Sequence, residues 1–367
     1  MTYPPSIEVK QIRAIAFYLP QFHPVPENDE WWGKGFTEWT NVTKAHPLFH
    51  GHYQPHLSAD LGFYDLRLPE AREAQADLAR AHGIHGFCYY HYWFNGRRIL
   101  ERPFNEVLES GKPDFPFCLA WANESWSRRW LGEERNLLIE QTYSAKDDIA
   151  HARWLLPSLA DPRCIRVDGR SLFLVYRPKH LPNPRQTTDV LRNECIKAGL
   201  PEPYLLGIDA QCPGVDCRTL GFDGTVRFEP QLGALPLAFS DKPLWERLWR
   251  NLRLGIRSRE LKVYDYAEAR HLMNTTTRDS SYYPSVFVGW DNTPRRGNKG
   301  VIVVNSTPEK FGAALRTTVQ DMARRPSGER LVFINAWNEW AEGNHLEPDA
   351  KHGLAYLNEV KKVVLDL

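Results

Sequence analysis

The stretch FINAWNEWAEGNHLEPDA, residues 333–350, lies near the end of the 367-residue chain and joins an apolar run to a polar, aromatic cluster. The run covers residues 331–334 and then gives way to Asn338, Glu339 and Glu342 among tryptophans. A short, continuous apolar run is typical of a strand buried on both faces of a parallel sheet. We therefore predict a buried strand whose carboxyl end presents carboxylates and aromatic rings.

Seven further runs of the same kind precede it, and together they predict a barrel. The eight runs begin at Ile12, Gly83, Phe115, Ser171, Pro203, Gly221, Tyr283 and Arg330. Helical patterns separate them, such as a segment from Pro69 to Gly83, one from Asp189 and one from Pro308. Eight strands alternating with helices predict a single α/β domain, a (β/α)8 TIM barrel over residues 1–367 with its core at about 12–362.

Polar and aromatic residues collect where the predicted strands end. In such a barrel the carboxyl ends of the strands form one rim, which is where barrel enzymes carry out their reactions. Contact with solvent alone does not explain tryptophan beside a carboxylate or amide at several of these ends. We therefore predict substrate binding by Tyr18, Gln21, His23, Trp39, Tyr90, His91, Trp93, Trp121, Asn123, Glu124, Trp126, Asp209, Glu229, Trp290, Asp291, Arg295, Trp337, Asn338 and Trp340.

A long segment after the first predicted strand, roughly residues 23–68, belongs to the same rim. It contains WWGKGFTEW, residues 31–39, with Glu38 among glycines and large aromatic rings. Loops this long are usually functional, so we predict an aromatic wall or lid over the barrel mouth. The chain holds 13 Trp and 15 Tyr, and flat rings with polar edges suit a sugar. The expected partner is an oligosaccharide or polysaccharide, and a tryptophan-rich core is the alternative explanation.

The overall charge argues against other classes of partner. With 46 basic and 45 acidic residues the formal net charge is +1, which gives no field for holding nucleic acid or an anionic membrane. We find no bilayer-spanning stretch and no signal peptide, so we predict cytoplasmic localisation without stable membrane insertion. The six cysteines form no CxxC pair, which fits reduced thiols. The sequence leaves the oligomeric state open.

Glu339 and Glu342 are the candidate catalytic pair. Cleaving a glycosidic bond needs one carboxyl group to protonate the leaving oxygen and another to act as base or nucleophile. A turn just past the eighth strand directs both inward, and their close approach would keep one protonated near neutral pH. The alternative is that both residues begin the last helix, where acidic side chains favour the dipole. This chemistry needs neither a metal nor a cofactor, so we predict none.

Five segments carry a resemblance to a known family. FYLPQFHP, GFTEWTNV, YYHYWF, LAWANESWSRRW and AWNEWAEGNHLEPD together resemble the WbsX-type family of bacterial polysaccharide (O-antigen) gene clusters. That family is similar to glycoside hydrolase family 99, the endo-α-mannosidases and endo-mannanases. The resemblance runs from about Ile12 to Lys362. It implies a retaining, endo-acting hydrolase of α-linked manno- or rhamno-configured polysaccharide.

The final N-E-W-x-E pattern carries the catalytic roles of family 99. The resemblance implies that Glu339 is the base and Glu342 the acid. The base would deprotonate the sugar's own 2-hydroxyl and give a 1,2-anhydro sugar, which requires that hydroxyl to be trans-diaxial to the leaving group. Asn123 and Glu124 have no counterpart in the pattern, so they stay open as a sugar-binding pair or an alternative acid.

Two other classes of function also stay open. The WbsX-type family carries the label glycosyltransferase as well, which would predict a nucleotide-sugar site with a metal-binding Asp-x-Asp. The sequence has no Asp-x-Asp and no glycine-rich phosphate loop, and the nearest substitutes are EPD at 347–349 and END at 27–29. Transglycosylation in surface-polysaccharide biosynthesis would use the same two glutamates. A non-catalytic carbohydrate-binding barrel would keep the aromatic residues without needing the glutamates.

Three weaker features have alternative interpretations. Residues 45–56 contain four histidines, and because no Cys or carboxylate accompanies them we favour sugar hydrogen bonding or loop packing over zinc. Residues 244–262 have an apolar and a basic helical face, and we predict a barrel helix packed on the core, not a membrane-surface helix. After the seventh strand, either Arg295 or Arg296 contacts an acidic sugar substituent, or Arg295 pairs with Asp291 instead.

Overall fold

Eight parallel strands close into a barrel in the computed structural model of this chain. The structure describes residues 12–128, 133–210, 212–235, 260–273 and 281–365, and the single positions 245, 248, 249, 252 and 255. The strands are β1 (Arg13–Tyr18), β2 (Ile84–His91), β3 (Phe117–Trp121), β4 (Arg170–Val175), β5 (Tyr204–Ile208), β6 (Gly224–Arg227), β7 (Tyr282–Phe287) and β8 (Leu331–Asn335). Each strand pairs with the next, and β8 pairs with β1, so the predicted (β/α)8 TIM barrel is confirmed.

The barrel strands are buried on both faces, as continuous apolar runs predict. Every residue of β3 and β8 is buried, and so are five of the six residues in β1. Inside the barrel, the Phe17 ring centroid lies 5.3 Å from that of Phe228 and 5.6 Å from that of Phe333. These aromatic contacts fill the interior, so the barrel is a packed core with its carboxyl rim left for function.

Helices cover the outside of the barrel. They span Pro69–Ala81, Arg102–Ser110, Ala145–Ala160, Pro184–Lys197, Tyr266–Met273, Pro308–Met322 and Ala355–Val364. The helices at Pro69 and Pro308 begin at the predicted residues, because proline fits a first turn that needs no N–H donor. The helix expected from Asp189 begins earlier, at Pro184, since the Asn183 side chain caps it by accepting the Gln186 N–H at 3.1 Å.

Short elements decorate the carboxyl rim. The long loop after β1 contains the helices Pro26–Trp32 and Glu38–Thr43, and a further short helix spans Thr293–Arg296. Two-stranded pairings join Trp93–Phe94 with Arg97–Arg98, Trp126–Arg128 with Glu133–Ile139, and Asn338–Glu339 with Asn344–His345. A three-stranded sheet joins Lys262–Asp265, Val301–Val304 and Trp290–Asp291. At the amino end of the barrel, Arg166–Val167 forms a hairpin with the start of β4.

The prediction that the apolar face of residues 244–262 packs on the core is wrong at four of its described positions. Trp245 and Trp249 are 68% and 67% exposed, and Leu248 and Leu252 are 56% and 80% exposed. The apolar face of this segment therefore does not pack on the barrel core at these four positions. Most other residues of the segment lie outside the described part of the chain.

Two further observations concern the cysteines and the membrane. All six cysteines lie within the described residues, and each is free and not disulfide-bonded. Among the described helices, none combines the length and the apolar composition that crossing a bilayer requires. The division of the chain into a single domain stays a prediction.

Candidate active site

A cavity of about 500 Å³ opens among the carboxyl ends of the barrel strands. All eight strands contribute to it through their last residues or through the segments that follow. Its lining consists of Leu19, Gln21, Tyr90, Tyr92, Ala122, Glu124, Trp126, Tyr176, Arg177, Ala210, Phe228, Pro230, Leu232, Gly233, Trp290, Asn292, Arg295, Arg296, Asn335, Glu339 and Glu342. Both the size and the place are those of an enzyme's substrate site in this fold.

Arg295 joins three carboxylates beside this cavity. Its Nη1 donates to Glu342 Oε1 at 2.5 Å, and its Nη2 donates to Glu339 Oε2 at 3.2 Å. The same Nη2 donates to Oε1 of Glu38, which comes from the long loop after β1. The Glu38 side chain is fully buried, and the side chains of Arg295 and Glu339 are each 10% exposed. One guanidinium therefore faces three largely buried acids.

Burial raises the pKa of both catalytic candidates, and nearby carboxylates add to the rise. Burial is the largest cause of the rise in the pKa of Glu339 to about 8, nearby Glu342 adds to it, and Arg295 opposes it. Burial also raises the pKa of Glu342, where Arg295 opposes the rise and Glu38 adds to it. The two carboxyl groups interact, so they titrate as a pair, and the pair retains a proton near neutral pH.

Asn338 and the turn after β8 set the positions of this pair. The Asn338 Oδ1 accepts the Leu19 N–H at 2.7 Å, and its Nδ2 donates to the Leu19 carbonyl at 3.0 Å. This anchors the short strand Asn338–Glu339 to the residue that follows β1. The single turn Trp340–Glu342 then brings Glu342 to Arg295. The Asn338 amide thus bonds the backbone and does not line the cavity.

The long loop after β1 delivers Glu38 to the same place. The Glu38 N–H donates to the Gln21 carbonyl at 2.9 Å as the short helix begins. Its Oε1 accepts the Ala341 N–H at 3.2 Å, which ties the loop to the turn that carries Glu342. The predicted aromatic wall is not built from this loop: among the described lining residues none is a loop tryptophan. Trp39 instead packs against Trp340, with ring centroids 5.4 Å apart.

Aromatic rings from other segments form the cavity walls. The ring centroids of Tyr90 and Tyr176 lie 6.0 Å apart, and those of Tyr92 and Trp126 lie 5.2 Å apart. Trp290 and Asn335 also line the cavity. Their buried Nε1 and Oδ1 atoms have no hydrogen-bond partner among the described residues. Unsatisfied polar atoms beside aromatic rings suit a ligand with hydroxyl groups on an apolar frame.

A second ion pair lies in the cavity wall between β3 and β4. Arg177 donates to Glu124 Oε2 from Nε at 3.1 Å and from Nη2 at 2.5 Å. The Asn123 Oδ1 accepts the Arg177 backbone N–H at 2.7 Å, and its Nδ2 donates to the Arg177 carbonyl at 3.0 Å. Asn123 therefore holds the segment after β4, whereas Glu124 is the residue of the two that lines the cavity.

The structure brings eight of the predicted site residues to the cavity. They are Gln21, Tyr90, Glu124, Trp126, Trp290, Arg295, Glu339 and Glu342. The other thirteen lie outside its described lining: Tyr18, His23, Trp39, His91, Trp93, Trp121, Asn123, Asp209, Glu229, Asp291, Trp337, Asn338 and Trp340. All thirteen are buried and pack within the protein.

Several of these thirteen hold neighbouring segments together. The Asp209 carboxylate accepts the Phe228 N–H at 2.8 Å, and burial raises the pKa of Asp209 to about 6. Glu229 pairs with Arg270 of the helix Tyr266–Met273. The Asp291 carboxylate contacts the His52 ring nitrogen at 2.6 Å. Arg295 therefore contacts the three glutamates. Asp291 contacts His52, whereas the sequence suggested Arg295 as its partner.

The others pack behind the rim. The Trp340 indole donates to Glu347 at 2.6 Å and the Trp39 indole to the Tyr64 carbonyl at 2.9 Å. The Tyr18 hydroxyl donates to Gln75 at 2.6 Å. Similar internal contacts hold Trp93, Trp121, His91, His23 and Trp337.

Sequence reasoning missed several lining residues, among them Arg177, Tyr176 and Tyr92. Arg177 and Tyr176 follow β4, the one barrel strand for which no site residue was predicted, so its end was an available signal. Tyr92 lies between two predicted residues in YYHYWF. Glu38 lies in GFTEWTNV, a segment predicted only to form part of an aromatic wall or lid.

Comparison with known proteins gives a family and a fold. The family described as Glycosyltransferase WbsX matches residues 14–360. The protein WxcX of Xanthomonas campestris pv. campestris, described as uncharacterized, is 45% identical over 355 residues in strain B100, and so is its counterpart in strain ATCC 33913. The alignment covers 95% of this chain and 49% of WxcX. The chain therefore spans about half the length of the curated relatives that it matches.

Three solved structures with the same architecture carry glycoside hydrolase names. Two structures of the GH99 endo-α-mannosidase from Bacteroides thetaiotaomicron, one with bis-tris-propane, match with TM-scores of 0.58 and 0.57 at 15% identity. Each alignment covers 96% of this chain and 97% of the mannosidase. A glycoside hydrolase-like protein matches with a TM-score of 0.56 at 13% identity, over 99% of this chain and 97% of its own. At these identities the likeness establishes a shared barrel fold.

Proposed function

The chain belongs to the family described as Glycosyltransferase WbsX, and from this membership we propose that it is a carbohydrate-active enzyme of the glycoside hydrolase type. The observation that carries the proposal is the cluster of Glu38, Glu339 and Glu342 on Arg295, beside a cavity at the carboxyl ends of the strands. The GH99 endo-α-mannosidases that share the fold support the same class of reaction. Neither a binding module nor a structural barrel has a need for carboxyl groups with raised pKa values at this place.

The substrate that we propose is an α-linked, manno- or rhamno-configured bacterial polysaccharide. The aromatic walls offer ring faces for stacking, and the ion pair of Arg177 and Glu124 offers donors and acceptors for hydroxyl groups. Cleavage within the chain, with retention of configuration, follows from the resemblance to family 99. In that reaction a 1,2-anhydro sugar forms when the sugar's own 2-hydroxyl attacks the anomeric carbon.

Glu339 and Glu342 divide the two proton transfers that this reaction needs. The family 99 pattern makes Glu339 the base and Glu342 the acid. Burial raises the pKa of both carboxyl groups and Arg295 opposes the rise at each, so either one can hold the proton that the pair shares. One proton shared by the pair is compatible with either assignment of acid and base. A leaving-group experiment distinguishes the two assignments.

Glycosyl transfer is the second candidate function, since the family is described as a glycosyltransferase. The EPD segment does not supply a nucleotide-sugar motif through Glu347, whose carboxylate accepts from Tyr64 at 2.8 Å and from Trp340 at 2.6 Å in the buried core. A transferase built on this cavity would use an oligosaccharide or lipid-linked donor. The same glutamates would then activate a sugar acceptor in place of water.

The test is a hydrolysis assay on α-linked mannose and rhamnose oligosaccharides, with new reducing ends as the readout. We expect Glu342→Gln to lower kcat by about 100-fold or more on natural linkages, with KM near that of the wild type. An aryl glycoside with a good leaving group should restore part of the rate if Glu342 is the acid. If Glu339 delivers the proton, the rescue occurs in Glu339→Gln instead.

The matched control is Glu73→Gln, an exposed glutamate in the helix Pro69–Ala81. It should leave the rate unchanged. Wild-type rates in both Glu339→Gln and Glu342→Gln would contradict the proposed function.

A further inference from the structure

A second cavity of about 410 Å³ lies beside the first, and the two share Trp290 as a lining residue. Its lining includes His56 of the long loop after β1, together with His345 and Asp349 of the segment after β8. Among the residues that the structure describes, these three form the one cluster whose ligand atoms lie within 4.8 Å of one another. The proposed carbohydrate chemistry does not use them.

The spacing of the three atoms is close to that of a metal-binding site. The His56 Nδ1 lies 3.0 Å from the His345 Nε2, which lies 3.9 Å from the Asp349 Oδ2. Ligand atoms about 2.0–2.1 Å from a tetrahedral zinc ion lie about 3.3 Å from each other. All three ligand atoms lie within 4.8 Å of one another, so side-chain movements would have to draw them together around one ion.

Surrounding contacts already orient two of the three ligands. The His345 Nδ1 lies 2.9 Å from the Glu347 carbonyl, which can only accept, so Nδ1 carries the proton and Nε2 presents its lone pair. The Asp349 Oδ1 accepts the backbone N–H groups of Lys351 at 2.9 Å and His352 at 2.5 Å. This holds Oδ2 on the side of His345. Such outer contacts are typical of histidine and carboxylate metal ligands.

We propose that His56, His345 and Asp349 bind one divalent transition-metal ion of the zinc class. Two imidazole nitrogens and one carboxylate oxygen suit zinc better than calcium or magnesium, which prefer sets of oxygen ligands. The adjoining cavity leaves room for a water molecule or an anion as fourth ligand. Binding needs the three ligand atoms to move closer together and the His56 proton to move from Nδ1 to Nε2, so both imidazoles remain neutral.

The neighbouring charged groups do not supply further ligands. Lys351 places its ammonium 4.5 Å from the centre of the Tyr53 ring. Asp291 is paired with His52 at 2.6 Å. The Lys351 charge weakens the affinity for a cation, whereas the Asp349 carboxylate strengthens it.

A bound ion would join two distant parts of the chain. The same two segments already meet where the Ala350 N–H donates to the Leu57 carbonyl at 2.8 Å and where Ser58 bridges Asp349. The His56 ring also lies close to Gly343, the residue after Glu342. A ligand that binds the folded state alone raises its melting temperature, so zinc should stabilise this join.

The sequence pointed to one of the three proposed ligands, because the histidines of residues 45–56 include His56. Of the four histidines between residues 45 and 56, His46 and His50 are exposed and His52 contacts Asp291. Only His56 reaches the cluster, and its partners lie almost 300 residues away, with 289 positions separating His56 from His345. Zinc at these histidines was disfavoured because no Cys or carboxylate accompanies them in the sequence, whereas Asp349 lies beside His345 in the fold.

The experiment measures zinc in the full chain after chelation, reloading with Zn²⁺ and dialysis, with elemental analysis and thermal unfolding as readouts. We expect one zinc per chain and a higher Tm with zinc than after chelation. His345→Gln and Asp349→Asn should each weaken zinc affinity by roughly 100-fold or more. The exposed His46→Gln and His50→Gln are matched controls and should retain one zinc.

Cobalt substitution in the wild-type chain tests the same site without relying on variants, which could fail to fold. Co²⁺ held by two imidazoles and a carboxylate should show the intense visible bands of a tetrahedral site, and Zn²⁺ should abolish them. Less than one tenth of an equivalent of zinc in the wild type, or equal zinc retention in wild type and both ligand variants, would overturn the proposal. These outcomes do not depend on glycoside hydrolase activity, which the Glu339 and Glu342 variants test separately.

Discussion

Arg295 brings one positive charge to Glu38, Glu339 and Glu342, which together could carry three negative charges. Burial makes a net excess of unpaired charge unfavourable, so the cluster lowers its free energy by retaining a proton. That physical requirement gives the site a proton donor near neutral pH without a metal ion. It also makes the cluster a source of instability as the pH rises.

Ionisation of Glu339 should lower the stability of the protein as the pH rises. The folded-state pKa of Glu339 lies at about 8, above the ordinary value of 4.5, so this group removes stability as the pH rises between those values. The side chain of glutamine cannot ionise, so Glu339→Gln does not lose stability in this way as the pH rises. We expect the Tm of Glu339→Gln minus the Tm of wild type to be larger at pH 8 than at pH 5, by about 2 °C or more.

Thermal unfolding at the two pH values checks this, and the exposed Glu73→Gln should show no such pH-dependent difference. A constant difference between Glu339→Gln and wild type would mean that the Glu339 pKa is the same in the folded and unfolded chain.

At the scale of elements, the turn Trp340–Glu342 depends on the glycine that ends it. Gly343 has φ +57°, a left-handed conformation that L side chains rarely adopt. A Cβ at this position would lie 3.1 Å from the Asp291 Cβ and 3.4 Å from the His56 Cε1. Any side chain here therefore crowds Asp291 in the segment after β7 and comes into contact with the long loop.

We predict that Gly343→Ala lowers both stability and activity, whereas Gly111→Ala lowers stability alone. Gly111 also has a positive φ, +69°, but a Cβ there meets nothing within 4 Å among the described atoms. Both substitutions carry the left-handed penalty of about 1–2 kcal/mol. The added contacts at Gly343 move Glu342, and we expect kcat to fall by roughly tenfold or more. Denaturant unfolding and kcat are the measurements, and equal kcat in the two variants would contradict a positional role for this turn.

The elements themselves could be read from local pattern, but the direction of side chains could not. All eight barrel strands coincide with apolar runs, because a strand buried on both faces must be apolar throughout. At the end of β2, successive residues point to opposite sides: Tyr90 lines the cavity, while His91 lies 2.9 Å from His151 behind it. Both were predicted to bind substrate, since the sequence does not reveal which alternate residues face inward.

At the scale of the whole molecule, the closed barrel brings together residues that are far apart in sequence. Glu38 and Arg295 are separated by 257 positions, yet they share a hydrogen bond beside the cavity. Local pattern could place Glu339, Glu342 and Arg295 on the rim, because each follows a strand. It could not select Glu38 from a loop of aromatic residues, nor join His56 to Asp349. Those pairings depend on how the long loop after β1 folds back over the segment after β8.

The measurement that tests the central claim most directly is a thermal-shift panel on the purified chain. It compares manno- and rhamno-configured iminosugars and oligosaccharides with nucleoside diphosphate sugars plus Mn²⁺, and Mn²⁺ alone is the reference because of the proposed zinc-class site. A saturating ligand at about 100 times its Kd adds about 2.7 kcal/mol to the free energy of unfolding. We predict a rise in Tm with the sugars that is lost in Trp290→Ala. A rise with a nucleotide sugar alone, and none with any carbohydrate, would contradict a hydrolase site formed by Glu339 and Glu342.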